Sequence, residues 1–348
     1  MKQIAILLAA VMMLAGCSGA AASSQPPVGY VDSNPNMVFS TLKSGDITYE
    51  GYRLFIDVTE LSDRTMAKKD LALGVLLTKD LQELGVEIDE ITFRIDAASE
   101  IMQSFFSDSN MELIEHLREA SGLTQEQMIS AMIEIYRPQY LMSLMLDYQR
   151  EKIKAELPAD NKDPDEVAAE KASEVMKVYY EEVNTRCDYS DPTLLVTLDG
   201  EAIALTEEHV RFMDYVATIY RADLLARLQA GVAIQRELTA KENPIDMEIF
   251  EPQCTMQIDA FLADSEKMTE IDGYLAVVGA TREEYFASYR KFLLGEYAGP
   301  IFVSMLEEEY AALPADSPDR PETFEEYYYK RMNNILDGAA LVNINGRA

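Results

Sequence analysis

The stretch Gly122-Leu123-Thr124-Gln125-Glu126-Gln127-Met128 returns 157 residues later as Gly279-Ala280-Thr281-Arg282-Glu283-Glu284-Tyr285, and this correspondence decides the architecture. The same register runs outward in both directions. Upstream, Phe55 falls opposite Phe212, Gly74 opposite Gly231, Leu77 opposite Ile234, Leu81 opposite Leu238 and Asp89 opposite Asp246. Downstream, Leu157-Pro158-Ala159-Asp160 recurs as Leu313-Pro314-Ala315-Asp316, one residue short of that register, and Pro164 recurs as Pro321 within it. Matches spread through a whole unit in one register mark an internal duplication. The two copies span residues 37–193 and 194–348.

Each copy reads mostly as helix. Leu73, Leu76, Leu77, Leu81 and Leu84 recur at steps of three and four, which makes one apolar stripe, and Gly85 stops that helix where a positive φ costs little. The next helix opens near Asp89. A longer apolar face passes through Met128, Met132, Ile135, Tyr136, Leu141, Leu144, Met145 and Tyr148 and closes at Pro158. Asp163-Pro164 supplies an N-cap and a first-turn proline for a helix to about Val183, and Pro321 opens its counterpart near Glu322. Strand signals are confined to the unit edges, at 38–42, 194–198 and 341–344, each followed closely by a glycine. The expected fold is mainly α, with two tandem helical units, short edge strands forming a small sheet that links them, and a strand that closes the chain.

Lys2, the apolar run from Ile4 to Leu14, and Ala15-Gly16 before Cys17 follow the order of an export signal. The run is shorter than the about twenty apolar residues that cross a bilayer. Leu14-Ala15-Gly16-Cys17 resembles the lipobox of bacterial lipoproteins, in which the cysteine is diacylglycerylated and becomes the new N-terminus. That resemblance implies a signal peptide over residues 1–16, lipid on Cys17, and an extracytoplasmic protein anchored at the outer face of the cell membrane or in the periplasm. The small residues from Ala20 to Ala22 leave ordinary signal cleavage as the alternative. Residues 17–36, rich in Ser, Ala, Gly and Pro, bury too little apolar surface to offset their ordering entropy and read as a flexible tether.

With 61 acidic and 30 basic residues the chain carries a net charge of −31, or −32 once Lys2 leaves with the signal. This excludes nucleic acid as an expected partner, because phosphate backbones call for Lys and Arg clusters. Attraction for basic partners and cations fits the charge better. With Cys17 lipidated, Cys187 and Cys254 remain in a space where a disulfide can form, and unlinked thiols are the alternative. These cysteines with His116 and His209 lack zinc-ligand spacing, and the acidic run 160–166 lacks the glycine of a calcium loop, so no metal or cofactor is expected. The chain has no nucleophile elbow, Walker loop, His-Glu-x-x-His or dinucleotide fingerprint, and the expectation is a protein that is not an enzyme.

Val196-Thr197-Leu198-Asp199-Gly200-Glu201-Ala202-Ile203, followed by Thr206-Glu207-Glu208, resembles the opening of the SurA N-terminal domain and of PrsA-type foldases. Ser44-Gly45-Asp46-Ile47-Thr48-Tyr49-Glu50 is a shorter version. Leu84-Gly85-Val86 before Asp89-Glu90, and Gly122 to Glu126 with Tyr136-Arg137, fit later helices of the same pattern. The resemblance covers both copies and implies SurA-N-like helical units, related also to the C-terminal part of trigger factor, that hold unfolded or newly exported polypeptides in an apolar cleft. It departs from the family in one respect: neither copy has room for a parvulin prolyl-isomerase domain. A chaperone or holdase without isomerase activity is therefore expected. The alternatives are an adaptor lipoprotein docking a folded envelope partner and a degenerate peptidyl-prolyl isomerase.

Flexible thioethers and amphipathic rings suit a surface that adapts to many apolar partners. On that ground Met128, Met132, Tyr136, Tyr140, Tyr285, Tyr289 and Tyr297 are the candidate peptide-binding residues. Helical spacing gives the same residues ordinary core packing as the other reading.

Overall fold

The leucine stripe lies on a helix from Arg53 to Glu83 (α1), which ends in a left-handed turn at Gly85, φ +73°. There the Val86 N–H donates to the Leu81 carbonyl at 2.9 Å, closing the last turn. The computed structural model of the chain describes residues 32–106, 114, 115, 118, 122–158, 163–188, 196–198, 201–203, 207–314 and 320–336. The lipobox-like stretch, the expected signal peptide and the expected closing strand at 341–344 lie outside these residues. The protein is mainly α. Helices α2 (Glu90–Ser104), α3 (Gln125–Glu156) and α4 (Pro164–Arg186) complete the first copy. Helices α5 (Glu207–Ala240), α6 (Met247–Ala263), α7 (Ser265–Val278), α8 (Arg282–Ala312) and α9 (Phe324–Leu336) belong to the second.

The duplication is visible in the helix ends. The last residues of α1 and α5, and the first residues of α2 and α6 and of α3 and α8, are each 157 positions apart. Asp89 and Asp246 cap α2 and α6, accepting from the Thr92 and Glu248 backbone N–H groups. Thr124 and Thr281 begin α3 and α8 with the same reciprocal capping box, completed by Gln127 and Glu284. Where the first copy turns at Gly85 the second uses Glu242, at φ +57°, with the Asn243 N–H donating to Leu238 at 2.9 Å. A few expectations shift. Helix α9 opens at Phe324, two residues past Glu322, because the Thr323 hydroxyl accepts from the Glu326 N–H and caps the helix there. Pro138 sits inside α3, buried, where the periodicity showed an unbroken helix.

The strands make two small sheets and not one. Strands β1 (Val38–Leu42) and β2 (Gly45–Thr48) pair antiparallel. Strands β3 (Cys187–Asp188), β4 (Val196–Leu198) and β5 (Glu201–Ile203) form the second sheet in the order β3-β4-β5.

Tertiary contacts divide the described chain into two units that do not coincide with the two copies. One unit holds residues 62–217 and the other holds 30–61 with 218–348. The hairpin of the first copy is thus built into the unit containing the helices of the second. Phe39, Leu42, Ile47 and Tyr49 pack with Leu224, Leu225 and Leu228 of α5 and with Tyr285, Phe286 and Phe292 of α8. In the same unit Arg221 of α5 pairs with buried Glu60 of α1, and its guanidinium lies 5.5 Å from the centre of the Tyr49 ring. In the other unit Arg64 of α1 pairs with Asp214 of α5 at 2.7 Å. Arg64 and Arg221 are repeat-equivalent, so each copy's arginine binds an acid supplied by the other copy. The core of residues 62–217 is the expected stripe: Leu73, Leu76, Leu77 and Leu81 against Leu141 and Met145 of α3 and Met176 of α4.

Candidate functional site

The candidate peptide-binding residues divide by burial. Met128, Met132 and Tyr285 are interior residues. Tyr285 stacks on half-buried Tyr289, ring centres 6.2 Å apart, inside a cluster of rings that includes Phe55, Phe286 and Phe292. Tyr140 is stacked on Phe93 at 4.6 Å, and Tyr297 leans on Phe250 at 5.5 Å. Burial raises the phenol pKa of Tyr136, Tyr140, Tyr285 and Tyr289 above its ordinary value. Of the set, Tyr136, Tyr140, Tyr289 and Tyr297 keep part of their surface in water. Cys254, the expected disulfide partner of Cys187, is a buried free thiol whose pKa burial raises; the Cys187 side chain lies outside the description.

Large apolar side chains do meet water, but on other helices. Helix α2 buries Phe93, Ala97 and Ile101 on its inner face. Its outer face presents Ile91, Ile95 and Met102, which are 74%, 62% and 44% exposed. Their spacing of four and seven residues places the three on one side of the helix. Helix α6, the repeat equivalent, buries Phe250 and Cys254 and presents Ile249 and Met256, 50% and 65% exposed. Helix α2 is therefore apolar on two opposed faces, of which folding covers one, and α6 leaves Ile249 and Met256 outside its buried face. The abundance of methionine in the first copy points to Met102, whereas the longest stripes give no sign of Ile91, Ile95, Ile249 or Met256. The signal was a helix outside a membrane span with apolar residues on more than one face.

A cavity of about 560 Å³ opens within residues 62–217, between α1, α2 and α3. Leu71, Gly74 and Val75 form its α1 wall, and Ala131 and Pro138 its α3 wall. Its guanidinium groups are occupied. Arg137 sends Nη1 to Glu90 Oε1 at 2.6 Å, Nη2 to Glu90 Oε2 at 3.0 Å and Nε to Glu134 Oε2 at 2.7 Å, while Arg94 reaches Glu134 at 3.3 Å. Asp70, also on the wall, has no hydrogen-bond or ion-pair partner among the described residues, and burial lifts its carboxyl pKa to about 7.

Among the described residues no group of three or more His, Cys, Asp or Glu side chains is placed to hold a metal, and no helix is long and apolar enough to cross a membrane. Comparison of the chain with family models, with curated proteins and with solved structures finds no match.

Proposed function

We propose that the protein is a non-enzymatic holdase, tethered outside the cytoplasm by lipid on Cys17, that shields apolar segments of unfolded or newly exported polypeptides. One observation carries this reading: α2 and α6, the same helix in the two copies, carry the most exposed of the large apolar side chains, Ile91 and Ile95 on α2 and Met256 on α6. Scattered exposed apolar residues are ordinary, but large ones gathered on equivalent helices of both copies, at different repeat positions, are a feature of a binding surface. The rows are short and lie on single helices, which suits an extended chain covered a few residues at a time. The net charge of −31 keeps such a surface soluble and favours basic clients.

The test is suppression of light scattering as a chemically unfolded substrate is diluted into buffer with the purified protein. Suppression that is stoichiometric, and weakened by salt more for basic than for neutral substrates, supports the holdase. No suppression at any ionic strength refutes it. Stable capture of one folded envelope protein without suppression turns the reading to an adaptor, and acceleration of a proline-limited refolding step turns it to an isomerase.

A further inference from the structure

The cavity of residues 62–217 occupies a place where the two copies differ in kind. Its α1 wall has Gly74 facing α3 at Arg137 and Pro138, with the nearest foreign atom, Arg137 Cδ, 3.8 Å from where a Cβ would stand. At the equivalent place in the second copy Gly231 meets Gly295, the counterpart of Pro138. A Cβ on Gly231 would lie only 2.9 Å from the Gly295 Cα. There α5 and α8 touch backbone to backbone, whereas α1 and α3 stand apart. The charges differ as well. Position 70 is Asp in the first copy and Arg227 in the second, where the guanidinium is bound to Glu296 at 2.8 Å and lies over Phe292.

What distinguishes the first copy is therefore a space with an apolar strip of Leu71, Gly74, Val75, Ala131 and Pro138 beside a carboxylate, Asp70, that no hydrogen bond or ion pair among the described residues holds. A cavity of about 560 Å³ falls in the range of small-ligand sites, roughly 300–1,000 Å³. Lysine and arginine side chains carry an apolar stem and a charged head, the same division found along this wall.

We propose that this cavity is a subsite for a basic side chain of a bound polypeptide, whose aliphatic stem lies on Leu71, Val75 and Pro138 and whose ammonium or guanidinium group pairs with Asp70. The subsite rests on the holdase reading for the source of its cation and adds a preference: clients bind with a basic residue beside their apolar segment. The charged groups around Asp70 are Lys69 on its own helix, Arg94 from α2, and Glu126, Glu134 and Arg137 from α3. Since Asp70 is protonated on the acid side of about 7, the preference for a cation fades as pH falls through that value.

The test uses the full mature chain and a fluorescein-labelled apolar peptide with one central lysine, against the same peptide with norleucine in its place. Anisotropy at pH 8 is expected to show the lysine peptide bound about tenfold more tightly. Asp70→Asn, which keeps the side-chain shape, removes that preference, as does lowering the pH to 5.5. Circular dichroism confirms that the variant is folded. Equal binding of the two peptides to the wild type, or a preference that survives Asp70→Asn, overturns the subsite and leaves the apolar rows untouched. If neither peptide binds, the holdase reading falls. Calorimetric titration with butylammonium then judges the cavity separately: saturable binding abolished by Asp70→Asn assigns it to free amines, and no binding removes it.

Discussion

Gly74 and Gly231 occupy equivalent helix positions, yet alanine there is expected to act with opposite sign. In both helices the change removes glycine's backbone freedom, worth about 1 kcal/mol in a helix interior. At Gly74 the new methyl group meets only Arg137 Cδ at 3.8 Å, an ordinary contact with a flexible side chain, so most of that gain is kept. At Gly231 it meets the Cα and carbonyl carbon of Gly295 at 2.9 and 3.3 Å. Backbone atoms of a neighbouring helix cannot turn aside, and overpacking of this kind costs about 1–3 kcal/mol. The net expectation is a stabilisation of about 0.5–1 kcal/mol for Gly74→Ala and a loss of about 1 kcal/mol, at most about 2, for Gly231→Ala. At about 2–4 °C per kcal/mol, the melting temperature rises by roughly 2 °C in one and falls by roughly 3 °C in the other. Thermal denaturation followed at 222 nm measures both. A Gly231→Ala protein that melts as high as Gly74→Ala would refute the close helix contact, and with it the contrast that singles out the first-copy cavity.

Replacing Ile91 and Ile95 together by serine removes the most exposed part of the α2 row. Burial of an isoleucine by a client is worth about 2 kcal/mol, less in proportion to its exposure, so client affinity should drop about tenfold or more with no change in melting; unaltered suppression of aggregation counts against the row. Glu242→Gly relieves the left-handed backbone at the end of α5 and is expected to stabilise by about 0.5–1 kcal/mol in calorimetry; a loss of stability would show that the Glu242 side chain contributes more than its strain costs. Arg221→Ala removes the buried guanidinium that pairs with Glu60 and should cost about 3–5 kcal/mol in urea unfolding. Arg64→Ala, whose partner Asp214 is half in water, should cost about 1 kcal/mol, and similar losses would contradict this difference in burial. Burial lifts Asp57 and Asp70 to about 7, so between about pH 4 and 7 the folded chain keeps protons the unfolded chain has released. Their contribution to stability therefore falls as pH rises through that window. Asp70→Asn should stabilise by about 2 kcal/mol at pH 8 and leave stability at pH 4 unchanged, and an equal effect at both would disprove the titration.

The duplication and the helix ends were legible in the chain itself, because they follow from rules that act over a few residues. Gly85 ends α1 since a left-handed turn suits glycine, and Thr124 and Thr281 begin α3 and α8 since a hydroxyl satisfies an orphan amide wherever it stands. Even so, Pro138 within α3 escaped notice, because a break in one hydrogen-bond ladder leaves the apolar spacing intact. The candidate site was less legible. Periodicity marked Met128, Met132 and Tyr285 as apolar, but a stripe does not state which surface will cover it, and in the fold other helices do.

By itself the sequence determined that two helical copies exist, where most of their helices begin and end, and which stripes are apolar. Tertiary structure alone decided that the copies exchange their hairpins, that Arg64 and Arg221 each find an acid from the other copy, and that α2 and α6 leave one apolar face in water. It also decided that a cavity opens at Gly74 and closes at Gly231. The reason is range: a cap or a turn is settled by neighbours along the chain, whereas cover, charge pairing and helix spacing are set by residues about 150 positions away, whose arrival no local pattern announces.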